Sequence, residues 1–245
     1  MLFELPRIGP SGDRALRVAF GDERSLEVNR PVRVLYRSLR EDPLPGVTEL
    51  VPTYAALTVY YHPHKVHHRR LAEQLRERAR RALAGKQEPP AGRLLRVPVC
   101  YEGEYAPDMA YVQRHTGLSA AEIVARHTAE TYFVFQLGFT PGCPFLGPLP
   151  EELYVPLMPS PRTSTPTGSV AVSVGQTVIY PRATPGGMRV IGRTPVVLFQ
   201  VDHPDLTLFK PGDRVQLVPV PESRFRELEP ACRRLGDGVE VVSHA

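Results

Sequence analysis

A chain of 245 residues can bury one large core or two modest ones, and 42% hydrophobic with 8% aromatic residues is the composition of a globular protein and not of a disordered one. The net charge of +4 comes mostly from one arginine-rich segment and does not point to nucleic acid. Cys100, Cys143 and Cys232 lack the paired spacing of a disulfide framework or zinc site, and the N-terminus lacks a signal peptide's basic and apolar regions, so a reducing cytoplasm is the expected setting.

Proline numbers 27, and it is excluded from helix interiors and central strands, so loops, edges and short strands are expected throughout. In chain order, ALRVAF (15–20) predicts a strand. NRPVRVLYRSLRE places Val32, Leu35 and Leu39 on one helical face, with Asn29 as N-cap and Pro31 in the first turn. VTELVPTY and ALTVYY are β-branched and aromatic runs that predict adjacent antiparallel strands. HHRRLAEQLRERARRALAG repeats Leu71, Leu75, Ala79 and Leu83 on one face and stops at Gly85. His62, His64, His67 and His68 straddle that strand end and helix start, where surface display is expected and no metal centre.

GKQEPPAGR has a linker's composition, dividing the chain into domains 1–88 and 89–245, and LLRVPVCY continues as a strand. The order βαββα, then β across the hinge, fits a ferredoxin-like α+β domain with both helices on one sheet face. Two short helices follow, one holding Met109, Val112 and His115, the other opening on the capping-box spacing of Ser119 and Glu122 and ending near His127. YFVFQL, SVAVSV, TVIY, MRVIG and VVLF then alternate with Pro and Gly turns, the pattern of an all-β barrel or sandwich. The tail from 221 is expected as a peripheral charged helix and end.

Between residues 131 and 181 only Glu151, Glu152 and Arg162 are charged. TYFVFQLGFTPGCPFLGPLP (131–150) has the length of a membrane span, but Pro141, Pro144, Pro148 and Pro150, with Gly138, Gly142 and Gly147, prevent one continuous helix. So many chain reversals in an uncharged block are expected at the wall of a cavity, where backbone groups find partners. Arg162 is the lone cation there and must reach a rim or meet a carboxylate or phosphate. His127 lies near a helix C-terminus, which favours a protonated imidazole and a proton-donating role; a capping or core histidine is the alternative. No phosphate-binding glycine motif and no G-x-S-x-G elbow around Ser169 is present.

The phrases QLGFTPGCPFLGPLP, SPRTSTPTGSVAVSVGQTVIYPRATPGGMRVIGRTPVVLF and VPVCYEGEYAPDMAYVQRHTGLSAAEIVARHTAETY resemble the family of B-type 5-oxoprolinase subunits, also described as allophanate hydrolase subunit 1 and as the family of a sporulation histidine-kinase inhibitor. The resemblance extends over almost the whole chain. It implies a ferredoxin-like domain followed by a cyclophilin-like β-barrel. It also implies work with a homologous partner barrel subunit (of the C-type, or allophanate hydrolase subunit 2 type) and a third 5-oxoprolinase subunit to cleave 5-oxoproline to glutamate. ATP, shared with the partners, and its magnesium are the implied cofactors; regulation of a histidine kinase is the alternative activity, and an allophanate or urea-amidolyase role a third.

On that resemblance the barrel pocket holds a lactam with one carboxylate, which needs a cation or backbone nest and neutral donors. His127 and Arg193 are the expected catalytic groups, stabilising negative charge. Gly138, Phe139, Gly142, Phe145, Arg162, Gln176, Thr177, Tyr180, Gly186 and Gly187 are the expected substrate-binding set. The alternatives stay open: Tyr180 can simply pack the barrel, Arg193 can form a structural ion pair, and each glycine can serve only its turn. Three positions depart from the family's pattern: Cys143 replaces an aromatic residue, Met188 a tryptophan, and Leu157 an arginine.

Overall fold

The computed structural model describes residues 1–85 and 92–242; residues 86–91 of the expected linker and the last three residues of the tail lie outside the described residues. The chain divides into two compact units, Met1–Ala91 and Gly92–Ala245. The first contains β1 (Leu2–Pro10), β2 (Ala15–Gly21), α1 (Leu26–Glu41), β3 (Val47–Pro52), β4 (Ala56–Tyr61) and α2 (His68–Ala84). Its antiparallel sheet has the order β1-β2-β4-β3. Leu16, Val18, Phe20, Leu57 and Val59 from the sheet form one core with Val32, Leu35 and Leu39 of α1 and Leu71, Leu75 and Ala79 of α2, so both helices cover the same face.

Three expectations need correction here. The strand after α2 does not join this sheet; β1 fills the edge position beside β2 instead. Pro6 and Pro10 hide β1 in the sequence, yet an edge strand tolerates them, and the ladder is irregular between Leu2 and Arg7. Helix α1 is capped by Ser25, whose side chain accepts from the Val28 amide, and not by Asn29. Asn29 is buried within the helix and donates from Nδ2 to the Thr53 and Tyr54 carbonyls at 3.0 Å each, while Pro31 stands inside the helix beyond its first turn.

The second unit runs β5 (Leu94–Val99), α3 (Met109–Thr116), α4 (Ala120–Ala129), β6 (Thr131–Leu137), β7 (Pro144–Gly147), β8 (Arg162–Thr165), β9 (Ser169–Ser173), β10 (Gln176–Ile179), β11 (Thr184–Gly186), β12 (Arg189–Arg193), β13 (Arg214–Pro219), α5 (Glu222–Leu228) and β14 (Glu240–Val242). Eight strands form one sheet in the order β12-β9-β10-β7-β6-β13-β5-β14, and β8 and β11 form a separate pair. The expected barrel is not closed by a ladder. Instead Cys100, just past β5, and Arg193, at the end of β12, exchange two backbone hydrogen bonds of 2.8 Å. The expected strand VVLF is only a pair of isolated bridges, Val197 to Leu235 and Phe199 to Thr207. The tail is less peripheral than expected, because β14 pairs with β5 and Phe225 of α5 is fully buried.

Segment 131–150 supplies strand β6, a turn and strand β7, and among the described residues no helix is long and apolar enough to cross a membrane. The Ser119–Glu122 capping box opens α4 as its spacing predicts, with both reciprocal hydrogen bonds present. His67 caps α2 by accepting from the Arg69 amide, and among the described residues no three acidic, His or Cys groups could hold a metal ion.

Strand β13 has no counterpart among the expected elements and runs parallel to β5. The start of this pair is fixed by Asp213, 4% exposed. Its carboxylate accepts from the Arg93 amide (3.2 Å), from Arg93 Nη2 (2.5 Å) and from the Lys210 amide (2.9 Å). Asp213→Ala strands these donors and should lower unfolding stability by about 2–3 kcal/mol, at the low end for a broken buried ion pair because Arg93 is partly solvated. A urea midpoint equal to that of the wild-type chain would show that the parallel pair does not depend on this carboxylate.

Candidate functional site

Strands send alternate side chains to opposite sheet faces, and in the segment β7-β10-β9-β12 both faces are covered. Leu146, Ile179, Val170, Val172 and Ile191 belong to the main core. Their neighbours Ala171, Val178, Tyr180 and Val190 join Cys143 and Met188 in a separate cluster, with Phe145 packed against it. On this second face lies a cavity of about 190 Å³ lined by Phe139, Cys143, Phe145, Val178, Tyr180, Gly186, Gly187 and Met188.

Five expected binding residues are thus brought together: Phe139, Phe145, Tyr180, Gly186 and Gly187. The loop from β6 to β7 carries Phe139, which is 66% exposed and has φ 66°, a left-handed backbone that costs a non-glycine residue energy. The Thr140 amide donates to the Gly138 carbonyl at 2.7 Å, making Phe139 the centre of a tight γ-turn that holds its ring edge-on to Tyr180, 6.2 Å between centroids. Gly138 donates its amide to the Cys143 carbonyl across the loop. Gly142 has φ 82°, and a Cβ there would lie 2.8 Å from Phe199 Cβ. Gly186 is a close-approach glycine: its Cβ would lie 2.4 Å from the Tyr180 hydroxyl.

The Tyr180 hydroxyl is the main polar group of the lining. Burial raises its pKa, outweighing Arg162 and the Met188 backbone, so it remains a neutral donor. Burial likewise pushes the Cys143 thiol up to about 12, which makes it wall material and not a nucleophile. Cys143 and Met188, two of the positions that depart from the family's pattern, therefore both face this cavity; the third, Leu157, is exposed and does not line it.

The other expected residues lie elsewhere. Thr177 alternates with Val178, so it points into the main core, where it meets His127. His127 is fully buried and, contrary to the expected protonated imidazole, burial lowers its pKa to about 3. The Thr177 hydroxyl donates to the Ala171 carbonyl (3.1 Å) and accepts from His127 Nε2–H (3.1 Å), leaving Nδ1 to accept from the Tyr101 hydroxyl at 2.9 Å. Both ring nitrogens are satisfied, and the helix-end field is overridden by desolvation. Gln176 stands at the β9–β10 hairpin, paired in register with Ser173.

Arg162 meets a carboxylate, but one from its own unit: Nη2 donates to Asp108 Oδ1 at 2.6 Å, while Asp108 Oδ2 accepts the Val190 amide at 2.7 Å. Arg193 donates from Nε to the Thr167 carbonyl at 2.9 Å and lies 5.9 Å from the Phe225 ring centroid. Neither arginine lines the cavity, and no cation does among the described residues.

A family model described as carboxyltransferase domain, subdomain C and D, matches residues 6–209. The chain is 36% identical over 228 residues to the B-type 5-oxoprolinase subunit of Bacillus subtilis (strain 168), covering 87% of this chain and 92% of that one. Among solved structures, TTHA0988 superposes with a TM-score of 0.74 at 34% identity over 84% of this chain, which spans 40% of that protein's length. The K. lactis urea amidolyase shares the fold, with a TM-score of 0.79 at 18% identity over 97% of this chain and 16% of that one.

The lowered pKa of His127 sets a pH dependence with a definite sign. The unfolded histidine takes up a proton below its ordinary value near 6.5 and the folded one only near 3, so stability is complete above that range and falls as pH drops through it. Between pH 7 and pH 5 this one group should remove about 2 kcal/mol of unfolding free energy. A His127→Gln variant should lose that part of the slope in denaturant titrations; an unchanged slope would mean that His127 is not held neutral.

Proposed function

The chain belongs to the family of B-type 5-oxoprolinase subunits, within the proteins that carry carboxyltransferase subdomains C and D, and on that premise we propose that it is the lactam-binding subunit of an ATP-dependent 5-oxoprolinase, active only with partner subunits. The observation that carries this reading is the cavity on the outer face of β7-β10-β9-β12: apolar walls, one neutral hydroxyl donor, and no cation among the described residues. The methylene groups of 5-oxoproline suit the Phe139, Phe145 and Met188 walls, and the Tyr180 hydroxyl suits the lactam oxygen, whose hydrogen bond strengthens as negative charge develops on it during ring opening.

The carboxylate of the same substrate has no counter-charge in this lining, since Arg162 is engaged by Asp108 and Arg193 by the Thr167 carbonyl. A partner of the same barrel type, with a third subunit, is assigned the missing cation. The lining does not fit ATP or magnesium either, offering no phosphate-cradling loop and no carboxylate for the metal. Nucleotide chemistry is therefore placed on the partners, and this chain's contribution is to bind, orient and keep water from the apolar side of the ring. His127 and Arg193 act as supports of the sheet.

We read the units as a ferredoxin-like domain, 1–88, and a cyclophilin-like barrel domain, 89–245. The one-sided helical layer supports the first and the Cys100–Arg193 bridge supports the second.

Co-purification with both partners followed by ATP-dependent glutamate release tests the proposal. The complex should be active and the isolated chain inert. Tyr180→Phe should lower kcat/KM by about ten- to a hundredfold, the loss of one hydrogen bond to developing charge, while Arg193→Ala should keep the rate within about twofold where it folds. Glutamate release by the chain alone, or an unchanged rate in Tyr180→Phe, would remove the shared site.

A further inference from the structure

On the face of β12 opposite the cavity, Arg189 pairs in register with Val172 of the main core and is only 7% exposed. Its guanidinium carbon lies 3.5 Å from the centroid of the Tyr111 ring, and that ring stacks on His115 one turn further along α3, 6.0 Å away and 8° from parallel. Nε is enclosed with no acceptor, and among the described residues the Arg189 side chain has neither a hydrogen bond nor an ion pair. The carboxylate at the start of α3 does not serve it, because Asp108 is occupied by Arg162 and the Val190 amide.

A buried cation without a counter-charge is costly, and one aromatic face offsets only part of that. Stacking uses the flat face of the guanidinium and leaves its in-plane N–H donors unmatched. We propose that Arg189 and Tyr111 form an oxyanion subsite, separate from the apolar cavity, that takes the carboxylate of a small organic acid. One edge of the guanidinium supplies a parallel pair of donors, which matches the two oxygens of a carboxylate; a phosphate needs further donors for its remaining oxygens. Desolvation around the enclosed Nε strengthens the attraction to an incoming carboxylate. The inference rests on this cluster alone and stands or falls independently of the reaction assigned to the cavity.

Acetate titrated into the ¹⁵N-labelled full chain at constant ionic strength, with chloride as the balancing anion, tests it by NMR. The Arg189 Nε–H resonance and the Tyr111 and Val190 amides should shift together and saturate with a midpoint of about 1–10 mM. Arg189→Gln should abolish the saturable shift of the two amides, and Tyr111→Leu should weaken it several-fold. The wild-type Nε–H signal decides the question even where a variant fails to fold. A linear, non-saturating response to acetate would overturn the subsite, and tighter saturation by inorganic phosphate than by acetate would overturn its carboxylate class.

Discussion

A β-strand must send successive side chains to opposite faces, and in β7, β9, β10 and β12 both faces are largely buried. One face closes the main core of the second unit over Leu146, Val170, Val172, Ile179 and Ile191; the other collects Ala171, Val178, Tyr180 and Val190 beneath Phe139. A one-residue slip in any of these strands would exchange the two sets, moving Tyr180 into the core and Thr177 out of it. The register of these strands is therefore a condition both for folding and for the cavity. Tight local geometry reinforces it: the chain passes so close to Tyr180 at Gly186 that no side chain fits there.

Polar groups inside the core obey a stricter rule than those at the cavity. His127 is kept neutral by burial, and its ring nitrogens are satisfied by a chain of three hydrogen bonds running from the Tyr101 hydroxyl through the imidazole and the Thr177 hydroxyl to the Ala171 carbonyl. Ala171 belongs to the cavity-side cluster, so this buried relay ties the central face of the sheet to the strand whose other face underlies the cavity. Arg162 does similar work from outside, holding Asp108 at the start of α3 while Asp108 accepts the Val190 amide of β12. Charged residues near the site are thus largely spent on positioning strands. That division of labour leaves the cavity lining without a cation among the described residues.

Much of this was legible in the residues. The charge-poor, Pro- and Gly-rich block from 131 to 181 forecast a cavity wall, and its Phe139, Phe145 and Tyr180 do line one, together with Gly186 and Gly187 just beyond it. Alternation within GQTVIYP also held a signal that separates Thr177 and Ile179 from Val178 and Tyr180, and Cys143 and Met188 were marked by their departure from the family's pattern. Strand β1 was hidden because Pro6 and Pro10 look like strand breakers until the strand is known to be an edge. Asn29 looked like a cap because its side chain suits one, but Ser25 stands four residues earlier and takes that place.

Local chemistry along the chain determined the helices, the capping box at Ser119, the short strands and the charge-poor wall, since each depends on neighbours a few residues apart. Family membership likewise follows from phrases that are contiguous in the sequence. Only the tertiary structure decided which charges remain free. Arg162 is paired by Asp108, 54 positions away, and His127 is satisfied by Tyr101 and Thr177, 26 and 50 positions away. Whether a cation or an imidazole is spent or available is fixed by partners distant in sequence and by burial, and neither is encoded in the local pattern around it.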